Sequence, residues 1–403
     1  MSGGVLSAAA GSQLASALEA RVEAAEKFFT QRCAELARLC HHVAERFAAG
    51  GRLIAIGSSP AARSDVRHVA VEFVHPVIVG KRALPAIGVT GGGGELCRQV
   101  DLLARSEDIV IAFGGEDDGD ELAEALRLAR NRGCLTIAFA RLGAEHEPEP
   151  PCRDEFIRQE LIETLYHVLW ELVHVFFEHR GLLEGRRQRR VHDSGASAFL
   201  YPFLAEQEHD LDAVIADVEA SVMMKSREIS ELRVQTLSEA APILLNAAEA
   251  VRASLDAGGK VLTLGNGGSA TDAMDLTADL RAPGKPSLTP RPAIDLTEDP
   301  AVLTAIANDV GVESIFARQV IAYGEPADVL VTLSTSGNSL NVIEALIQAH
   351  RRGMATVAFA GYDGGRIASQ SLADHVIVTR SEHIPRIQEA QASALHVLRE
   401  LVG

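Results

Sequence analysis

The chain repeats itself, and that repetition constrains its fold more than any other feature. Arg98-Gln99-Val100 aligns with Arg318-Gln319-Val320 at an offset of 220 positions. The offset holds without a gap through Asp108-Ile109-Val110 against Asp328-Val329-Leu330, and on to Ile137-Ala138-Phe139-Ala140 against Val357-Ala358-Phe359-Ala360. Upstream, Gly50-Gly51-Arg52-Leu53 matches Gly258-Gly259-Lys260-Val261 at offset 208, and downstream Gln159-Glu160 matches Gln388-Glu389 at offset 229. Similarity that keeps register through strand, loop and helix marks a tandem duplication. The expectation is two related domains, residues 1–180 and 210–403, joined by a linker over 181–209.

Both halves show the same order of elements. Apolar residues recurring every three or four positions predict a long helix over 14–48 and over 211–257, each stopped by a Gly-Gly turn. Short apolar strands are expected at 53–56, 86–89, 109–113 and 135–140, and again at 261–264, 293–296, 329–333 and 356–360. Helices separate them, and a closing helix over 156–179 or 386–401 ends each half. Strands alternating with helices predict an α/β fold with a parallel sheet covered on both faces.

Composition narrows the functional classes. Of 403 residues, 38 are Lys or Arg and 55 Asp or Glu, a net charge of −17, which argues against general nucleic-acid binding. The 47% hydrophobic content supplies enough apolar side chain for several cores and excludes wholesale disorder. The longest apolar stretch, 161–177, carries Glu163, His167, Glu171 and His174, too polar for a membrane helix. Residues 1–11 lack the basic start of a signal peptide. The five cysteines include no Cys-x-x-Cys pair, so no disulfide framework or thiolate zinc site is expected. Together these features predict a cytoplasmic protein without membrane or nucleic-acid partners. The run Arg186-Arg187-Gln188-Arg189-Arg190 reads as a solvated loop.

Two loops of the second half carry chemistry. Gly265-Asn266-Gly267-Gly268-Ser269 and Ser334-Thr335-Ser336-Gly337-Asn338-Ser339 each follow a strand and open a helix. Backbone N–H groups, the helix dipole and hydroxyl donors converge at such a loop, making it an anion site. Asn266, Ser269, Ser334, Thr335, Ser336 and Ser339 are the candidate phosphate ligands. The alternative is a tight turn with helix-capping serines.

These loops, with Asp272-Ala273-Met274, Asp363-Gly364-Gly365 and Arg386-Ile387-Gln388-Glu389, resemble the sugar isomerase (SIS) family, and within it the phosphoheptose isomerases. The resemblance covers nearly all of 210–403 and, more weakly, 15–180. It implies two SIS domains, each a five-stranded parallel sheet in an αβα sandwich of flavodoxin-like, Rossmann-like topology. It further implies a phosphosugar ligand, no nucleotide cofactor, a divalent metal that is usually zinc, and a homodimer forming a four-SIS-domain assembly. The implied reaction is aldose–ketose isomerisation of sedoheptulose 7-phosphate through an enediol, with a glutamate and a histidine moving protons and His, Glu, Gln and His holding the metal.

Carried onto this chain, those roles divide between the halves. In the second half they fall on Asp275, Asp279, Gln388 and His396, an oxygen-richer set in which Asp279 is one methylene short. In the first half, His68 and Glu72 are four apart and Gln159 and His167 eight apart, which reproduces the set in kind but one residue out of register. The candidate proton-transfer residues are Glu72 and His167, Asp279 and His396. The first half's counterpart of the serine loop, Gly114-Gly115-Glu116-Asp117-Asp118-Gly119-Asp120, is acidic and should repel phosphate or take a cationic or aminated group. Glu171, His174 and His179 also share the first closing helix and read as packing residues. The complementary losses suggest a composite site, one half supplying the serine loop and the other the metal set. A non-catalytic sugar-phosphate-binding regulatory or interaction module is the alternative.

Overall fold

The computed structural model describes residues 8–78, 81–115, 119–178 and 210–403. Glu116, Asp117 and Asp118 of the acidic loop, His179, the linker and its arginine run lie outside the described residues. The chain forms two compact units: one comprises Met1–Glu23, Asp154–Glu160 and Glu228–Gly403, the other Ala24–Arg153 and Leu161–Arg227. We call the first the serine-loop unit and the second the acidic-loop unit. Three long helices contribute to both: α1 (Ala8–Ala48), α5 (Glu155–Glu178) and α6 (Leu211–Asp256), the last with Pro242 inside it.

The acidic-loop unit holds a parallel sheet of β1 (Leu53–Gly57), β2 (Ala86–Thr90), β3 (Ile109–Ala112) and β4 (Leu135–Ala138), in the order β2-β1-β3-β4. Between the strands lie α2 (Pro60–Val74), α3 (Glu95–Leu103) and α4 (Gly119–Asn131). Ile54, Ile56, Val110 and Ala112 meet Leu96, Val100, Leu122 and Leu126 in one buried cluster.

In the serine-loop unit the order is β6-β5-β7-β8-β9, again all parallel. The strands are β5 (Val261–Leu264), β6 (Ala293–Asp295), β7 (Val329–Ser334), β8 (Ala355–Gly361) and β9 (His375–Thr379). The helices are α7 (Gly268–Arg281), α8 (Pro300–Asp309), α9 (Ile315–Tyr323), α10 (Leu340–Arg351), α11 (Gly365–Ser369) and α12 (Ile384–Val402). Alternation along β7 builds two cores: Val329, Val331 and Leu333 pack with α6, α7 and α12, while Leu330 faces α9 and α10.

The expectation of five strands in each sheet needs one correction. Among the described residues the first sheet has four. Where the second sheet adds β9, the first makes only a single parallel bridge, Ile137 to His146. Pro148, Pro150 and Pro151 follow at once and cannot donate to a ladder.

The duplication reappears as matched contacts. Asp108 accepts from the backbone N–H groups of Arg52 (2.8 Å) and Arg105 (3.0 Å) and pairs with the Arg52 guanidinium at 2.6 Å. Asp328 accepts from Lys260 (2.9 Å) and Glu325 (2.8 Å) and pairs with Lys260 Nζ at 2.6 Å. The Gly-Gly turns match as well: a Cβ on Gly51 would stand 2.0 Å from the Glu107 carbonyl, and one on Gly259 2.1 Å from that of Ala327.

Candidate functional site

The serine-loop unit presents two helix N-termini at the carboxyl ends of adjacent strands, where a parallel sheet binds ligands. β5 runs into the glycine loop and α7, and β7 runs into the serine loop and α10. Gly267 takes the N-cap position of α7 with φ +59° and offers no side-chain cap. Ser339 takes that position for α10, yet its hydroxyl makes no capping bond and meets the Ser334 hydroxyl at 3.1 Å instead. Neither helix is capped by the side chain at that position, but the third N–H of each is taken, Ala270 N by the Gly267 carbonyl (3.0 Å) and Val342 N by Asn341 Oδ1 (3.0 Å), so only the first two of each remain for another acceptor. The loops are tied to each other by a reciprocal amide pair: Asn266 Nδ2 donates to Asn341 Oδ1 (3.0 Å), and Asn341 Nδ2 to Asn266 Oδ1 (2.9 Å).

The candidate phosphate ligands differ in depth. Ser269 and Ser334 are buried, Thr335, Ser336 and Ser339 half-buried, and Asn266 exposed. Ser336 and Asn338 open onto a hollow of about 760 Å³ whose far wall includes Tyr362, Arg380 and Glu382. Gly337 is required for the close turn: its φ is +61°, and a Cβ there would lie 2.2 Å from the Gly364 carbonyl.

Further along α7, six and ten residues past Ser269, stand Asp275 and Asp279. His396 on α12 reaches both: Nε2 is 3.3 Å from Asp275 Oδ2 and 3.8 Å from Asp279 Oδ2. One ligand atom from each of the three lies within 4.8 Å of the others. Asp279 Oδ2 is buried without a hydrogen bond. Burial, then the neighbouring Asp275 charge, raises Asp279 to about 8. Gln388 is buried on the same helix as His396.

The other face of His396 was not anticipated. Its Nδ1 lies 2.9 Å from Glu160 Oε1, and Glu160 is fully buried. Arg21 Nε donates to both Glu160 oxygens (3.0 and 3.1 Å), and Ser393 Oγ donates to Oε2 (2.6 Å). Burial alone would raise Glu160, but the Arg21 charge and the His396 hydrogen bond hold it well below the usual carboxylate range. For His396, burial opposes the cation, yet hydrogen bonds to Asp275 and Glu160 prevail and raise it to about 10. Phe156 stacks on the imidazole at 4.4 Å, with the planes 4° apart, and Lys285 Nζ sits 4.2 Å from the Phe156 centroid. The repeated Gln-Glu pair at 159–160 and 388–389 was the available signal for Glu160.

In the acidic-loop unit, His68, Glu72 and His167 do come together: His167 Nε2 is 3.3 Å from His68 Nε2, and Glu72 Oε1 is 3.9 Å from the same atom. All three are buried. Gln159 does not join them. It lies in the serine-loop unit and donates to Asp275 Oδ1 at 2.7 Å. Glu163, one helical turn further along α5, is within ligand distance of His68 and His167 in its place. Burial, then the neighbouring His167, depresses His68 far below the ordinary imidazole range. Glu171 forms a buried ion pair with Lys225, and His174 packs between the Trp170 and Phe177 rings. The glycine-loop counterpart is spent locally: Ser59 caps α2 by accepting from Ala62 N (3.3 Å), with Pro60 in the first turn.

All five cysteines are free thiols. Among the described residues no helix is long and apolar enough to cross a membrane.

Comparison with known proteins agrees with this arrangement. A model of the SIS domain matches residues 226–361, which take in both loops. The phosphoheptose isomerase of Rhodospirillum rubrum is 44% identical over 166 residues, covering 41% of this chain and 87% of that protein. The one from Aquifex aeolicus is 43% identical over 176 residues, covering 44% and 91%. In structure, the C-terminal domain of glucosamine-fructose-6-phosphate aminotransferase from Francisella tularensis covers 96% of this chain and 94% of its own, with a TM-score of 0.58 and 11% identity. That last likeness is one of fold, and it extends over both sheets. Because so much of the Rhodospirillum and Aquifex proteins is matched at more than two residues in five, the chain belongs to the SIS domain family.

Proposed function

We propose that the chain is an aldose–ketose isomerase acting on a phosphosugar of the sedoheptulose 7-phosphate class, with its reacting groups in the serine-loop unit. One observation carries the reading: two helices leave their N-cap positions without a side-chain cap on the same loop pair, beside the four hydroxyls of the serine loop, of which Ser336 opens onto the hollow. The Rhodospirillum and Aquifex relatives that match this part of the chain are phosphoheptose isomerases.

The phosphate binds the serine loop, so its binding energy positions carbons that do not touch it. From Ser269 to Asp275, six residues of α7 rise about 9 Å, the reach of an extended phosphosugar chain. Asp279, raised to about 8 and so acting through its ionised fraction, takes a proton from the carbon beside the carbonyl. The His396 imidazolium gives its Nε2 proton to the carbonyl oxygen, which leaves an enediol. Returning the first proton to the neighbouring carbon, and one hydroxyl proton to His396, completes the exchange. Glu160 acts through His396 as a positioning residue, fixing the ring by Nδ1. Two carboxylates could hold a divalent metal: Asp275 and Asp279 converge, and Asp279 Oδ2 is buried with no hydrogen bond of its own, while His396 keeps its Nε2 proton for the acid role and is no ligand in that state. Bound there, such an ion would polarise the sugar's oxygens.

A coupled assay with sedoheptulose 7-phosphate tests this. Turnover that is lost in His396→Ala supports the assignment, and turnover that survives it overturns the assignment. A second reading, a phosphosugar-binding module without turnover, is favoured by the one-methylene shortening at Asp279. Binding without turnover in the intact chain would select it.

A further inference from the structure

A third cluster of ligating side chains stands apart from both sets above. On α1, within the acidic-loop unit, His41, His42 and Glu45 each place a ligand atom within 4.8 Å of the others. His41 Nδ1 is 3.8 Å from Glu45 Oε2. Beside this trio, though not within the same mutual distance of all three, a histidine arrives from a segment about a hundred residues away: His146 Nε2 is 3.4 Å from His42 Nδ1. His146 is rigidly held, since its N–H donates to the Thr136 carbonyl (3.0 Å) and its carbonyl accepts from Ala138 N (2.9 Å).

Zinc binds imidazole nitrogen at about 2.0–2.1 Å, so neighbouring ligands of a tetrahedral ion stand roughly 3.3–3.5 Å apart. The His42–His146 separation already matches that edge, and the His41–Glu45 separation exceeds it only slightly. Three imidazoles and one carboxylate suit a borderline transition metal better than magnesium or calcium.

We propose that His41, His42, Glu45 and His146 form a structural zinc site, separate from the phosphosugar chemistry. Its place in the fold gives it a task. β4 is the last strand of its sheet, and the segment carrying His146 follows it with a single bridge instead of a fifth strand. An ion there fastens to α1 the segment that runs along the buried edge strand β4. Zinc stabilises the folded unit because it binds the native arrangement and not the unfolded chain.

The test uses the full chain dialysed against zinc, with zinc content measured by mass spectrometry and melting followed by circular dichroism. His42→Gln and His146→Ala should each hold one equivalent less zinc than the wild type and lose part of the zinc-induced rise in Tm. Leu102→Ala, an exposed change outside every ligating set, should leave that increment in place. Equal zinc content in the wild type, His42→Gln and His146→Ala overturns the proposal. Should the variants fail to fold, zinc-edge anomalous diffraction from wild-type crystals decides: a peak between His42 and His146 supports the site, and its absence refutes it.

Discussion

The helices α2 and α7 begin at the same point of the duplicated fold and treat their N-termini in opposite ways. In the acidic-loop unit, Ser59 turns its oxygen onto Ala62 N and Pro60 contributes no N–H, so that terminus is satisfied from within. In the serine-loop unit, Gly267 has no side chain to cap with, and Ser339 directs its hydroxyl to Ser334. Ancestral geometry is retained in both, but of these two helices only α7 lacks a side-chain cap. The lesson is that anion-binding capacity at a helix N-terminus lies in what the cap position withholds, since a serine there can serve either purpose.

A second contrast concerns the ligating sets. His68, Glu72, Glu163 and His167 are buried, and burial drives His68 toward its neutral form. His396 is buried too, but Asp275 and Glu160 flank it with negative charge and keep it cationic. The two imidazoles stand at different points of the repeat, His68 on α2 and His396 on α12, and the surrounding charge decides which carries a proton.

The largest effect expected from this contrast is on turnover. His396→Ala should lower kcat by about 1,000-fold, within the range of a lost proton-transfer group, whereas His167→Gln should leave kcat unchanged. Comparable losses in steady-state assays of both would break the distinction. Next comes binding. Ser336→Asp should weaken affinity for sedoheptulose 7-phosphate by at least about 100-fold, because it sets a carboxylate against the phosphate. Ser59→Asp should not, since aspartate caps α2 as well as serine does; calorimetric titration of both variants checks the pair. A structural control follows. Gly51→Ala and Gly259→Ala both push a Cβ into a carbonyl, and each should cost about 2 kcal/mol in urea unfolding; a large inequality would show that the halves do not share this turn. The smallest expected change is in Glu160→Gln, about tenfold in kcat with KM little altered. A KM effect alone would mean that Glu160 shapes binding and does not orient His396.

Much of the fold was readable in the chain. Alternating strand and helix patterns placed all eight expected strands, because apolar runs closed by Gly-Gly turns are local signals. The strand at His375–Thr379 lies outside the eight that the pattern placed. The missing fifth strand of the first sheet was written in its prolines, but a family expectation of five overrode them. At the site, hydroxyl and glycine content exposed the loop pair. Gln159 was misplaced, since helical spacing tells which residues share a face and not what that face meets.

The amino-acid order thus determined the duplication, the parallel α/β plan and the hydroxyl- and glycine-rich loop pair of one copy, because each is encoded by neighbours a few positions apart. Tertiary structure alone decided that Glu160 backs His396, that Gln159 serves Asp275, and that His146 closes on His42. Those pairings join residues a hundred or more positions apart, and only the packing of helices and sheets specifies which distant side chains come within hydrogen-bond reach.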